Sequence, residues 1–169
     1  ALPIYIQENI WQNSAEVAGV AGIDDDGNGY IDDVVGWDFS DAPGLPGIGD
    51  FLTRDSDPRD ESGHGTHVAG IIAAVADNGI GIAGVASNAQ IMVSRAGFNL
   101  PGGGYLEDDD IAAAILYAVD NGAHVINMSW GDPRPGPLIR DAVRYAHDAG
   151  VVLVAAAGNE GEDAVFFPG

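Results

Sequence analysis

The 169-residue chain contains no cysteine. Disulfide scaffolds, thiolate zinc sites and cysteine nucleophiles are therefore excluded. Cationic side chains are almost as scarce: six Lys+Arg stand against 26 Asp+Glu, a formal net charge of −20. Such a surface repels phosphate, so neither nucleic acid nor an anionic membrane is expected as a partner. No apolar run reaches the ~18 residues that a membrane span needs. Neither G-x-G-x-x-G nor G-x-x-x-x-G-K-[ST] follows a strand-like segment, which removes the usual signals of a nucleotide binder.

What remains is enough for a folded domain. Apolar residues make up 46% of the chain, so a core is expected despite the charge. The length suits one domain or a large piece of one. The chain opens on Ala1 rather than Met and stops at Gly169 straight after an apolar run, so an excerpt of a longer domain is expected.

Residues 1–62 are loop-rich and acidic, broken by Pro43, Pro46 and Pro58. Extended chain is expected over 1–6, a helical turn within 9–17 and a strand over 34–39. From Gly63 the pattern becomes regular, as an α/β core over 63–169. It predicts helices over 64–76, 108–121 and 137–149 and strands over 89–95, 123–128 and 151–157, with a flexible loop at 101–104. The third helix has Leu138, Ala142, Val143 and Ala146 on one face, with Gly150 as its stop. Strands alternating with long helices indicate an α/β fold, a three-layer α/β/α arrangement around a mostly parallel sheet. Ligands gather at the C-terminal ends of such strands. The segments that follow those ends, 97–104, 129–131 and 158–161, are all rich in glycine. Glycine lets a ligand approach the backbone closely.

Three segments carry chemistry. In Ser62-Gly63-His64-Gly65-Thr66-His67 an imidazole stands at a glycine-flanked helix start. Imidazole is the side chain best suited to gain and lose a proton near neutral pH. His64 and His67 lack the third ligand that zinc requires nearby. In Ala157-Gly158-Asn159-Glu160-Gly161 an amide is held between glycines past a strand end, suited to donate to a developing oxyanion. The alternative is an ordinary turn with Asn and Gly chosen for their backbone angles. In Asn127-Met128-Ser129-Trp130-Gly131 the serine lacks the G-x-S-x-G elbow of a nucleophile, so the segment reads as backbone lining a cleft.

Taken in order, His64-Gly65-Thr66-His67-Val68-Ala69-Gly70, Val125-Ile126-Asn127-Met128-Ser129-Trp130-Gly131 and residues 155–161 resemble the subtilisin-like serine peptidases, the subtilases. Residues 79–86 and 91–95 are similar to the segments between those motifs, so the resemblance spans nearly the whole chain. It implies a subtilisin-like fold and a Ser-His-Asp endopeptidase acting on peptide or protein substrates. His64 would be the general base and Asn159 the oxyanion donor. Gly102, Gly103 and Gly104 would be the edge against which an extended substrate adds as a strand. Ser129, Trp130 and Gly131 would form one wall of the specificity pocket, and Ala156, Ala157 and Gly158 another. The small residues there imply an open pocket for sizeable apolar side chains. The family's Asp-Thr/Ser-Gly turn and Gly-Thr-Ser-Met-Ala helix start do not occur in the sequence. The triad Asp and Ser are therefore expected outside these residues, leaving the isolated chain inactive. The resemblance also implies an extracellular enzyme without an organic cofactor, and a monomer is expected.

Asp24, Asp26 and Asn28 occupy positions 1, 3 and 5 of a calcium loop of EF-hand type, Gly29 the turn, Tyr30 a backbone ligand and Asp32 position 9. Val35 stands where the bidentate Glu would be, with Asp33 the available substitute. Oxygen ligands of this kind suit Ca²⁺, the alternative being a solvated acidic turn. Some subtilases carry a similar insert. A looser cluster, Asp38, Asp55, Asp57 and Asp60, and the Asp77-Asn78 pair resemble other calcium positions of the family. The acidic run 107–110 reads as the first turn of a helix. Two other classes remain open: a non-catalytic calcium- or protein-binding module of subtilase architecture, and an unrelated doubly wound nucleotide binder, which the charge opposes.

Overall fold

Asn13 starts the first α-helix by accepting a hydrogen bond from the Ala15 amide, an N-cap that satisfies one of the orphan donors of a helix start. The computed structural model describes residues 5–45, 49–131 and 136–159. Its elements run as a 3₁₀ turn (Gln7–Asn9), α1 (Ser14–Ala18), β1 (Gly36–Asp38), α2 (His64–Ala73), β2 (Val93–Arg95), β3 (Gly97–Leu100), β4 (Gly103–Leu106), α3 (Asp108–Asp120), β5 (Val125–Met128), α4 (Pro137–Asp148) and β6 (Val152–Ala155). The alternation expected from Gly63 onward is present, and the elements are one to four residues shorter than the sequence pattern at their ends. The expected extended segment falls partly on residues 1–4, which lie outside the described residues, and Tyr5 and Ile6 form a turn.

The chain divides into two compact units, Ala1–Leu106 and Glu107–Gly169. In the first, β1 and β2 pair in parallel, Gly36 opposite Val93 and Asp38 opposite Arg95, with α2 in the connection. Parallel neighbours need such a crossover. Gly36 is required there: a Cβ would lie 1.8 Å from the Val93 carbonyl oxygen, and its φ is 132°. Ile6, Ile10 and Ala74 form a core with Ala69, Val35, Ile91 and Val93 packed around it. A second cluster joins Ala42, Phe51 and Phe98. The loop after α2 returns to that helix through Gly84 N to Ala74 O at 2.9 Å, Val85 N to Ile71 O at 3.0 Å and Ala86 N to Ile72 O at 2.8 Å.

In the second unit β5, α4 and β6 form another β-α-β passage with a parallel pair, Val125 opposite Val152 through Met128 opposite Ala155. Helix α3 packs on α4, and α4 on β6. The buried face of α4 is Ile139, Ala142 and Ala146, with Val143 half-buried, while Leu138 is exposed. The period that includes Leu138 is thus shifted by one residue, because Ile139 completes the i, i+3, i+4, i+7 stripe. Among the described residues Val152 and Val154 of β6 are exposed.

Candidate active site and an acidic loop

Gly63 lies in the left-handed region at φ 82°, and the turn it makes delivers His64 as the first residue of α2, exposed to solvent. A glycine N-cap has no side chain to satisfy the amides of the helix start. Asp60 does so instead. Its Oδ1 accepts from the Ser62 and Gly63 amides, each at 2.8 Å, and its Oδ2 from the Thr66 amide at 2.7 Å. Burial pushes the Asp60 carboxyl up, but the hydrogen bonds, led by those of Thr66, outweigh it and hold the group below its usual value. The charged carboxylate also suits the positive end of the helix. His64 is thereby bracketed by pinned backbone on both sides. Asp60 thus serves the helix start, whereas its sequence neighbours suggest a calcium cluster. Among the described residues no histidine joins a metal-capable group.

The 101–104 segment is not a loose loop. Gly103 and Gly104 lie in β4, which pairs antiparallel with β3, Phe98 opposite Tyr105 and Asn99 opposite Gly104, around a turn at Pro101 and Gly102. Phe98 anchors the hairpin, its ring stacked 5.1 Å from Phe51 and 6.3 Å from Tyr105. All four β4 residues are exposed, and among the described residues β3 is its one strand neighbour. The free side of β4 is an unpaired edge of the kind to which an extended peptide adds. Pro101 and the glycines hid the hairpin in the sequence. The signal that could have found it is the apolar alternation of Phe98, Leu100 and Tyr105 about a two-residue Pro-Gly turn.

In the second unit the two expected substrate strips follow the C-terminal ends of paired strands. Pairing continues one residue past β6, where the Ala156 amide donates to the Met128 carbonyl at 3.1 Å. Ser129 and Trp130 are half-buried and Gly131 is exposed. Ala156, Ala157, Gly158 and Asn159 are exposed, with Gly158 at φ 89°. Asn127 Nδ2 donates to Ser129 Oγ at 2.8 Å, tying that hydroxyl to its own strand. Residues 160 and 161 of the last segment lie outside the described residues.

The acidic loop is organised by its own backbone. Asp24 Oδ1 accepts from the Gly27 amide at 2.8 Å and the Asn28 amide at 3.1 Å, and Oδ2 from Gly29 at 2.8 Å. The Gly29 bond above all, opposed by desolvation and aided by those of Gly27 and Asn28, holds the Asp24 carboxyl below its usual value. Asn28 Oδ1 accepts from the Tyr30 amide at 2.8 Å. Asp32, at φ 59°, turns its carboxylate to the Gly22 amide at 2.8 Å. Asp33 is fully buried and accepts from the side-chain amides of Asn13 at 2.8 Å and Asn28 at 3.0 Å. The residue that sequence reasoning missed is Glu16 on α1. Its two oxygens accept from the Asp25 amide at 2.8 Å and the Asp32 amide at 3.0 Å. Carboxylate oxygens of Glu16, Asp24 and Asp26 all lie within 4.8 Å of one another. Three like charges this close, all hard oxygen donors, fit a cation such as Ca²⁺.

A second omission is Arg95 at the end of β2. It is buried against Asp38 of β1, with Glu61 at 3.2 Å and Asp50 at 3.9 Å. Asp38 therefore pairs with a cation of the chain itself.

Parallel β-α-β units with glycine-rich segments at their strand ends, and an exposed helix-start histidine, define an α/β protein with its candidate site at the strand and helix ends. The model of the subtilase family matches residues 48–168, and the chain belongs to that family. It is 50% identical over 119 residues to the thermophilic serine proteinase of Bacillus sp. strain AK1, covering 70% of this chain and 29% of that protein. It is 44% identical over 119 residues to thermitase of Thermoactinomyces vulgaris, covering 70% of this chain and 42% of that protein. Among solved structures, sphericase aligns with a TM-score of 0.64 at 36% identity, over 78% of this chain and 42% of that one. The chain therefore spans less than half the length of these relatives. The subtilisin-like α/β fold expected from the motifs is the fold that these structures share.

Proposed function

We propose that this chain supplies the general base, the oxyanion donor and the substrate strips of a subtilisin-like serine endopeptidase, whose nucleophilic Ser and orienting Asp lie outside these residues. The observation that carries the reading is His64, exposed at the first position of α2 with its flanking backbone held by Asp60. His64 takes the proton of the serine hydroxyl as that oxygen attacks the peptide carbonyl, then gives it to the leaving amine. Asn159 donates to the oxygen that becomes negative. The β4 edge at Gly102, Gly103 and Gly104 pairs with the extended substrate, and 129–131 and 156–158 wall the pocket for its side chain. Ca²⁺ is held by Glu16, Asp24 and Asp26, with Asn28, Tyr30 and Asp32 on the same loop. It offsets part of the negative charge and ties α1 to the loop. The enzyme works outside the cell, as a monomer; the acidic composition is compatible with the extracellular reading.

The test uses the full-length polypeptide that carries this segment. His64→Ala should lower peptide hydrolysis by roughly a millionfold, the loss seen when one member of such a catalytic unit is removed. Its far-ultraviolet dichroism should be unchanged. Turnover that survives the substitution removes His64 from the mechanism. Chelation should lower the melting temperature by about 5–10 °C if Ca²⁺ had been present at about a hundred times its dissociation constant. Asp26→Ala should abolish that difference; equal melting with and without chelator would make the loop an acidic turn. Calcium-dependent melting without turnover in the unsubstituted protein would favour the non-catalytic binding module.

A further inference from the structure

The chain contains three Asn-Gly pairs, Asn28-Gly29, Asn78-Gly79 and Asn121-Gly122. Such pairs are open to a spontaneous reaction, because glycine offers no side chain to hinder attack of its backbone nitrogen on the preceding side chain. The pairs share one feature: the glycine sits at positive φ, 94°, 71° and 80° in order. They differ in what holds the two reacting groups.

At Asn28 and Asn78 the side chain adopts the same turn, with Oδ1 accepting from the amide two residues on, at 2.8 Å from Tyr30 and 2.9 Å from Ile80. This folds the amide carbon back over the next peptide and polarises its carbonyl. The nucleophile decides the rest. The Gly29 N–H is held by the Asp24 carboxylate at 2.8 Å, and Asn28 Nδ2 is held by Asp33 at 3.0 Å and Asp26 at 3.3 Å. A carboxylate on an N–H opposes loss of that proton, and loss of the proton is what makes the nitrogen reactive. At the third pair the Gly122 N–H donates to the Val119 carbonyl at 3.0 Å and Asn121 Nδ2 to the Tyr117 carbonyl at 3.0 Å, across the end of α3. At Asn78 both residues are exposed, and among the described residues neither the Gly79 N–H nor Asn78 Nδ2 has a hydrogen-bond partner. A Cβ would meet nothing within 4 Å at Gly29, Gly79 or Gly122 alike, so local space does not separate the three pairs and the hydrogen bonds do.

We infer that Asn78 is a site of spontaneous deamidation, and that the hydrogen bonds at Asn28 and Asn121 protect the other two pairs. Solvent base removes the Gly79 amide proton, and that nitrogen bonds to the Asn78 amide carbon. The bond from that carbon to Nδ2 breaks, and Nδ2 leaves as ammonia with a proton from water. Water then opens the cyclic imide at either carbonyl, giving aspartate or isoaspartate. No redox partner is involved. The product places a new carboxylate beside Asp77, in a chain already at −20. The isoaspartate route also lengthens the backbone of the loop that bonds back onto α2 through Gly84, Val85 and Ala86.

The test is incubation of the 169-residue chain in mildly alkaline buffer without added calcium, followed by peptide mapping that separates Asn, Asp and isoAsp at each position. Deamidation at Asn78 should run roughly tenfold to a hundredfold faster than at Asn28, the range expected when one charge-assisted hydrogen bond must be broken first, and faster by a smaller factor than at Asn121, whose bonds are to neutral carbonyls. Equal rates at the three positions, or a faster rate at Asn28 or Asn121, would overturn the inference. Asp24→Asn removes the carboxylate charge from the Gly29 amide and should raise the rate at Asn28 while leaving Asn78 unchanged. Gly79→Ala should slow the reaction at Asn78; an unchanged rate there would show that the Gly79 nitrogen is not the nucleophile.

Discussion

Aspartate is abundant in both units, and the two units use it in different ways. In the first, carboxylates are structural acceptors: Glu16, Asp24, Asp32 and Asp60 take backbone amides of loops, Asp33 takes two side-chain amides, and Asp38 takes Arg95. In the second, Asp108, Asp109 and Asp110 form the first turn of α3, and apolar packing of α3 on α4 carries the structure. The contrast follows from the secondary structure. A helix satisfies its own backbone and needs acids only at its start, whereas long connections leave amides that something must accept. Carboxylate-rich loops can therefore be ordered without a large core, at the cost of sensitivity to pH and to ions. The histidine assigned as base stands in the first unit, the one ordered by carboxylates.

The sharpest way to break that contrast is Arg95→Met. It removes the cation paired with Asp38 and Glu61, while Asp38 stays buried. Leaving such a charge unpaired costs about 3–5 kcal/mol. The loss should depend on pH. Burial pushes the Asp38 carboxyl up to about 6, against the lowering effects of the Ser40 amide and Arg95. The folded state thus holds this proton more tightly than the unfolded chain, whose value is 3.8. The group's favourable contribution is complete below that value and is lost as pH rises through about 6. The deficit of Arg95→Met, read from urea unfolding, should shrink as the pH falls through this window and be largest at neutrality. An equal deficit at all pH values would mean that Arg95 acts through packing alone.

How much of this was legible in the sequence divides along the same line. The helices and strands after Gly63 follow from apolar periodicity, and the positions of His64 and Asn159 from ordered motifs. The roles of Glu16 and Arg95 did not follow, because each acts across a separation that no periodicity encodes, and that of Asp60 did not because Gly63, without an acceptor side chain, stands at the N-cap. Arg95 reaches Asp38 over 57 positions, and Glu16 reaches Asp32 over 16. On α4 the expected Ala142, Val143 and Ala146 face inward, and only Leu138 gives way to Ile139, because the two are equally apolar and packing alone chooses between them. The hairpin at Gly97–Leu100 and Gly103–Leu106 was read as a loop because Pro and Gly dominate its turn.

A smaller perturbation tests whether the His64 helix depends on one acceptor. Asp60→Ala strips the Ser62, Gly63 and Thr66 amides of their partner and should cost about 0.5–2 kcal/mol, as loss of a helix cap does. Because hydrogen bonding holds the Asp60 carboxyl below its usual value, its contribution is present above the unfolded value and lost as pH falls through the folded one. Asp60→Asn keeps one acceptor oxygen and should recover part of the loss. Hydrogen exchange at Thr66 reports the effect directly: protection that is unchanged in Asp60→Ala would mean that α2 starts without help from this carboxylate.

The smallest expected effect lies in the second unit, where a carboxylate meets a side chain instead of the backbone. Tyr145 of α4 donates its hydroxyl to Asp120 at the end of α3, 2.6 Å away and exposed to solvent. That bond, together with the negative charge of Asp120, raises the phenol above its ordinary value. The folded state therefore keeps this proton longer than the unfolded chain, so the contribution is complete below the unfolded value and is lost as pH rises through the folded one. Tyr145→Phe should leave neutral-pH melting nearly unchanged, since α3 and α4 hold together through Ile111, Ile115, Ile139, Ala142 and Ala146 and not through this contact. It should also flatten the alkaline limb of the stability curve. In the unsubstituted chain, ultraviolet titration of the phenolates should show a late component that Asp120→Asn moves to lower pH. A large loss of stability at neutral pH in Tyr145→Phe would place polar bonding, not apolar packing, at the centre of this unit and would erase the difference between the two.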